Sequence, residues 1–158
     1  MVEAYHFTAK VERLESGQSQ TDPAGDLDYT LRAVPNHHRA LYAISRYELT
    51  HGVSRWNTAR CYFERALAFR PNDPVVRMLF GLHFAIRDAH SAAVKEYRQA
   101  ESLMPENAEL QYNLGLSLFE LGDYRAARES AKLAYKNGYP LPGLKKRLEA
   151  VGYGWNLE

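Results

Sequence analysis

Small and apolar residues recur along this chain at an offset of 34 positions. Ala59, Ala93 and Ala127 form one series, Ala66, Ala100 and Ala134 a second, and Phe63, Tyr97 and Ala131 a third. Gly81 pairs with Gly115, Phe80 with Leu114, Phe84 with Leu118 and Pro71 with Pro105 at the same offset. A period of this length predicts two antiparallel helices per unit, each with an apolar stripe that only a neighbouring unit can cover. Gly81 and Gly115 mark places where the first helix of a unit lies tight against the second, and Ala59, Ala93 and Ala127 fill the facing positions. A larger side chain there forces the two axes apart.

Local chemistry places the boundaries. Asp73 followed by Pro74 is an N-cap with proline in the first turn, opening a helix over 74–87. Asn107 opens the next, over 108–121, and Gly122-Asp123 is a turn whose aspartate caps 124–136. A helix over 91–102 lies between them, and Pro71 and Pro105 close their units. From Pro35 to Pro71 is 36 residues, two more than the period, and the surplus falls in the turn Thr50-His51-Gly52-Val53-Ser54. That alignment gives Ser45 the small position of Gly81 and Gly115. Ahead of the array, 9–15 and 26–33 read as short helices around a polar loop at 16–23. Behind it, 144–150 reads as a capping helix whose Leu144 and Leu148 cover the last stripe, with Lys145, Lys146 and Arg147 as a solvated face.

The expected organisation is therefore a flank at 1–35, units at 36–71, 72–105 and 106–139, and a cap with tail at 140–156. The fold class is all-α: three tandem antiparallel helix pairs forming a short right-handed superhelix, with N-terminal flanking helices and a C-terminal capping helix. Met1 and the closing Leu157-Glu158 pair read as residues of an expression vector.

Composition narrows the function classes. The 158 residues carry 20 Lys+Arg against 19 Asp+Glu, with 46% hydrophobic and 25% charged residues. Residues 1–70 hold nine basic and eight acidic groups and 71–158 eleven of each, so neither half is a basic arm. Arginines of the first unit are interrupted by Glu48 and Glu64 and fall on different helical faces, which argues against nucleic acid as partner. Charged residues break every long apolar stretch, so no membrane insertion is expected. His37 and His38 are adjacent and diverge on a helix, His83 and His90 lack ligand spacing, and no metal or other cofactor is expected. His37 reads as a helix-start residue. Cys61, beside Tyr62 and Phe63, reads as a buried apolar filler. No phosphate-binding glycine loop, nucleophile elbow or paired-cysteine motif occurs, and Asp26 with Asp28 reads as turn and N-cap chemistry. The chain is expected to be no enzyme.

The repeat resembles the tetratricopeptide (TPR) repeat, whose 34-residue signature runs Trp, Leu-Gly, Tyr, then Ala and Phe, then Pro. It is met here over residues 36–138 except at the leading tryptophan, where Arg77 and Gln111 stand. The resemblance implies a binding scaffold whose first helices line a concave groove. In the first unit that groove would present Arg39, Tyr42, Arg46 and Leu49. In the second it would present Val75, Met78, Leu82 and Ile86, and in the third Glu109, Tyr112, Leu116 and Phe119. Such a surface suits a peptide or amphipathic helix with apolar anchors. The Lys and Asn set with which some relatives clamp a terminal carboxylate is absent. Residues 1–20 folding back over the groove are the competing expectation.

The N-terminal stretch Tyr5-His6-Phe7-Thr8, with Gly25-Asp26-Leu27-Asp28-Tyr29 and Pro35-Asn36-His37, resembles the leading segment of a group of uncharacterised bacterial TPR proteins. Their frequent upstream export signal implies a periplasmic location where such a signal has been removed, and a cytoplasmic one otherwise. The expected function is a non-enzymatic protein-interaction scaffold. The alternative is an architectural subunit of a larger bacterial assembly, self-associating as a homo-oligomer.

Overall fold

The computed structural model describes residues 2–155. Met1 and residues 156–158, including the Leu157-Glu158 pair, lie outside the described residues. Among the described residues ten helices follow one another: α1 Val2–His6, α2 Ala9–Glu12, α3 Pro23–Ala33, α4 His38–His51, α5 Ala59–Phe69, α6 Pro74–Ala85, α7 His90–Glu101, α8 Ala108–Glu120, α9 Tyr124–Lys136 and α10 Gly143–Ala150. A single 3-10 turn at Gln18–Gln20 precedes α3, and no strand occurs among the described residues. The chain divides into two compact units, 1–79 and 80–158, with the division inside α6.

Side-chain oxygens and one imidazole start most helices. The Asp73 carboxylate accepts from the backbone N–H of Val75 and Val76 at 3.1 Å each, Asn107 accepts from Leu110 N–H at 2.8 Å, and Asp123 accepts from Ala126 N–H at 3.0 Å. Each satisfies donors that the first turn leaves unpaired. His37 does the same for α4, its Nδ1 accepting from Ala40 N–H at 3.1 Å, so its place as a helix-start residue holds. Thr58 caps α5 through Cys61 N–H at 3.1 Å, and Glu48 reaches across to accept from Ala59 N–H at 2.6 Å.

In the first unit α3 packs on α4, α4 on α5, and α1 and α2 lie against α3, with α2 also touching α4. Leu27, Leu31, Leu41, Ile44, Tyr62 and Phe63 form its buried centre, and Ser45, Ala59 and Ala66 are buried among them. Helix α3 carries two buried carboxylates. Asp28 accepts from the Tyr62 hydroxyl at 2.7 Å and pairs with Arg32 at 3.0 Å; Asp26 accepts from Gln18 N–H at 2.6 Å and pairs with His6 at 2.7 Å. Burial and the neighbouring Asp28 carboxylate push the Tyr62 hydroxyl well up, so it stays a neutral donor.

In the second unit α7 packs on α8, α8 on α9, and α10 on both α8 and α9. Gly81 faces the Tyr97 ring, which an added Cβ would meet at 2.5 Å. Gly115 lies against the Leu144 side chain and the Ala127 carbonyl, at 2.7 Å and 3.2 Å from such a Cβ. The close helix approach expected at these glycines is present, but at Gly81 the side chain opposite is Tyr97 and not Ala93. Leu144 and Leu148 are fully buried, as the capping role requires.

Several expectations are corrected. Helix α3 begins at Pro23, capped by Asp22 through Ala24 N–H at 3.0 Å, so Asp26 and Asp28 lie inside the helix and not at its cap. Helix α2 ends at Glu12 instead of residue 15. Cys61 is exposed, because the buried stripe of α5 runs through Ala59, Tyr62, Phe63 and Ala66 and leaves position 61 on the other face. Helix α4 continues through His51, and the long connection runs over 52–58, most of it exposed. Arg147 is not simply solvated: it pairs with Glu120 at 2.6 Å and its guanidinium lies 4.2 Å from the Phe119 ring centre.

Candidate functional site

The residues expected to line a groove fall into three structural situations. On α4, Tyr42 is 42% exposed and carries the Arg46 guanidinium 5.7 Å from its ring centre, while Leu49 stands exposed two turns further on. The spacing 39, 42, 46, 49 keeps all four side chains on one helical face. Arg46 has no carboxylate partner among the described residues, so this face offers an aromatic ring, an aliphatic side chain and a cation together.

Arg39 begins the same face but is already engaged. Its guanidinium makes a two-pronged pair with the Glu12 carboxylate, with Nε to Oε1 at 2.7 Å, and lies 5.4 Å from the Phe7 ring centre. That pairing holds the Glu12 carboxyl below its ordinary range. The flank therefore does come back onto α4, at its first turn.

Met78, near the end of the first unit, is only 7% exposed. In the second unit Ile86 is 37% exposed, just beyond the end of α6. Leu82 and Leu116 are half-buried and Glu109 is exposed. Tyr112 is 8% exposed because the chain after α9 covers it: the Tyr139 ring stacks on it at 4.0 Å, and Tyr135 meets it edge-on at 6.4 Å. Phe119 sits between Tyr124, at 5.0 Å, and Arg147. The C-terminal segment adds further aromatic contacts, Tyr153 on Tyr124 at 5.5 Å and Trp155 near Tyr135 at 6.1 Å, with Lys145 5.8 Å from the Trp155 ring centre.

Sequence reasoning missed the flank contacts. Glu3 meets the His37 imidazole at 2.8 Å, and the Phe7 ring meets it edge-on at 4.5 Å. Because His37 Nδ1 accepts from a backbone N–H, the neutral ring carries its proton on Nε2 and donates it to Glu3. The recurrence of Glu3, Phe7 and Val11 at every fourth position was the available signal. No group of three or more His, Cys, Asp or Glu capable of holding a metal occurs among the described residues, and no helix there is long and apolar enough to cross a membrane.

Stacked helices of this kind, with small residues at the contacts and exposed side chains on one helix face, define an all-α helical-hairpin repeat protein. Residues 81–122 match the family described as TPR repeat, which bears out the expected TPR resemblance over that segment. A thermophilic TPR protein of Thermus thermophilus has the same fold, with a TM-score of 0.62 at 20% identity over 83% of this chain and 74% of that one. A mutant of MamA gives 0.65 at 22% identity, covering 96% of this chain and 86% of that chain. MamA of AMB-1 gives 0.61 at 20% identity over 96% and 83%. At these identities the likeness is one of fold. In sequence, 67 residues are 34% identical to the peroxisomal targeting signal receptor of Candida albicans strain SC5314; that stretch is 42% of this chain and the match spans only 11% of the receptor. TPR proteins are interaction scaffolds and not catalysts as a rule, which agrees with the expectation that the chain is no enzyme.

Proposed function

We propose that this TPR chain binds a peptide or amphipathic helix of a protein partner, and that the exposed face of α4 is a principal contact surface. The observation carrying this reading is the Tyr42–Arg46 pair, an exposed ring under a guanidinium that lacks a carboxylate partner among the described residues, with exposed Leu49 in line. Tyrosine and arginine are the residue types that most often dominate binding energy, and an exposed pair of them orders little on binding. Glu109, Leu116, Leu82 and Ile86 extend the set of candidate contacts in the second unit. Tyr112 and Met78 are buried and Phe119 is half-buried, so they offer less surface to a partner.

The partner segment this face suits carries apolar anchors and at least one carboxylate, to meet Arg46. The test is a pull-down from source-cell extract comparing the unaltered chain with a Tyr42→Ala, Arg46→Glu double variant whose folding is checked by circular dichroism. Loss of the specifically retained partner is the expected result. An identical partner set on the variant would overturn the assignment to α4.

A further inference from the structure

We propose that the surface of α3 and α4 beneath the N-terminal segment is a second docking site, for a short helical segment of a partner that presents a phenylalanine flanked by carboxylates. Residues 2–12 occupy it as a built-in competitor. The inference rests on α4 being a contact face, since Arg39 belongs to both surfaces, and it adds what that face recognises at its first turn.

The occupant itself defines the chemistry. Phe7 and Val11 are the two buried apolar anchors of the segment, and Glu3 and Glu12 are its acidic contacts, one on His37 and one on Arg39. The Phe7 ring is held between those same two basic groups. The receiving side thus combines an apolar seat with an imidazole N–H, a forked guanidinium and, on α3, the Asp26 carboxylate that meets His6, a set that selects carboxylates at both ends of an aromatic anchor with a basic residue beside it.

The attachment has the character of a replaceable contact. Helices α1 and α2 are five and four residues long, too short to persist without their seat. The Arg39–Glu12 pair is on the surface, where salt weakens it. The link onward to α3 holds Leu14, Ser19 and Gln20 at φ of 62°, 56° and 60°, a left-handed conformation that non-glycine residues adopt at a cost which release removes. A tethered ligand is favoured only by its effective concentration, so an external segment of the same pattern with better contacts displaces it.

The probe is a fluorescein-labelled synthetic peptide of residues 2–15, read by fluorescence anisotropy against the full-length chain. A Phe7→Ala, Glu12→Ala chain, whose own segment is loosened, should bind it at least about tenfold more tightly than the unaltered chain does. Adding Arg39→Glu to the loosened chain should abolish binding, and a peptide carrying Glu12→Arg should restore it. Should the double variant fail to fold, Glu12→Arg alone, which sets two cations against each other and keeps the Phe7 side chain, serves as the loosened chain. Equal affinity for loosened and unaltered chains, or none for either, would overturn the proposal. So would a loosened chain that runs in light scattering at twice its mass, which would make a second copy the occupant. The pull-down with the Tyr42 and Arg46 variant is independent of these outcomes, so failure of the peptide test leaves the α4 contact face to be judged separately.

Discussion

Two buried tyrosines show how much a single hydroxyl depends on what it meets. Tyr62 donates to Asp28 inside the first unit, whereas the Tyr97 hydroxyl, buried in the second unit at the position equivalent to Phe63, has no hydrogen-bond partner among the described residues. Removing the Tyr62 hydroxyl with Tyr62→Phe leaves a buried carboxylate short of a donor, and should cost about 1–3 kcal/mol in urea unfolding. Tyr97→Phe removes a desolvated group that gains nothing, and should be neutral or stabilising by up to about 1 kcal/mol in the same measurement. A comparable loss for both substitutions would show that Tyr97 has a partner too. The repeat alignment placed Tyr97 in series with Phe63 and Ala131, but a 34-residue offset does not tell which hydroxyl finds an acceptor. Asp28 supplies that difference from outside the aligned repeats, which is why the sequence could not show it.

At the scale of elements, legibility followed the strength of local signals. Helix α9 lies where its Gly122-Asp123 turn placed it, and α6, α7 and α8 depart by one or two residues at their ends. Asp73, Asn107 and Asp123 cap as expected because an N-cap is a contact within one turn, fully specified by neighbours in sequence. The flank was legible only in outline. Asp26 and Asp28 look like capping residues beside Gly25, yet Asp22 with Pro23 starts the helix a turn earlier, and the two carboxylates are instead spent on Tyr62, His6 and a backbone N–H. Cys61 was misplaced for a related reason: its aromatic neighbours suggested burial, but one step along a helix turns a side chain by about 100°. The capping helix α10 was readable from Leu144 and Leu148, and its energetic weight can be checked. Leu144→Ala should lower stability by about 2–5 kcal/mol in chemical unfolding, since this fully buried side chain fills the space beside Gly115. A change under about 0.5 kcal/mol would mean that α10 contributes little to the second unit.

For the whole chain, acid sensitivity is the property that the charged contacts determine together. Burial raises the Asp73 carboxyl, but hydrogen bonds from His38, the Val76 N–H and Asn36 outweigh it and hold the group below its ordinary value. A carboxylate with a depressed folded-state value contributes stability that is complete above its unfolded value, near 3.9, and is lost as pH falls through the folded one. Glu12, lowered chiefly by its bond from Arg39, acts in the same direction. The midpoint of thermal unfolding should therefore fall on acidification through about pH 4 and below, and Asp73→Asn should flatten that dependence while lowering stability at pH 7. A variant with an unchanged acid profile would remove Asp73 from the account. Amide hydrogen exchange offers a second check: residues 2–12 should exchange well before α3 and α4, because few apolar contacts hold them.

The sequence by itself determined the repeat, the helix pairs, most caps and the TPR resemblance, because each rests on periodicity or on contacts within a single turn. Only the tertiary structure decided which polar groups meet across distant segments: Glu12 with Arg39, Glu3 with His37, Tyr62 with Asp28, Tyr139 over Tyr112. Those pairings also decided which expected groove residues stay exposed. Tyr42 and Arg46 remain open on α4, whereas Arg39 is engaged by the N-terminal flank and Tyr112 is covered by Tyr139 at the end of its own unit, contacts that the 34-residue offset does not report.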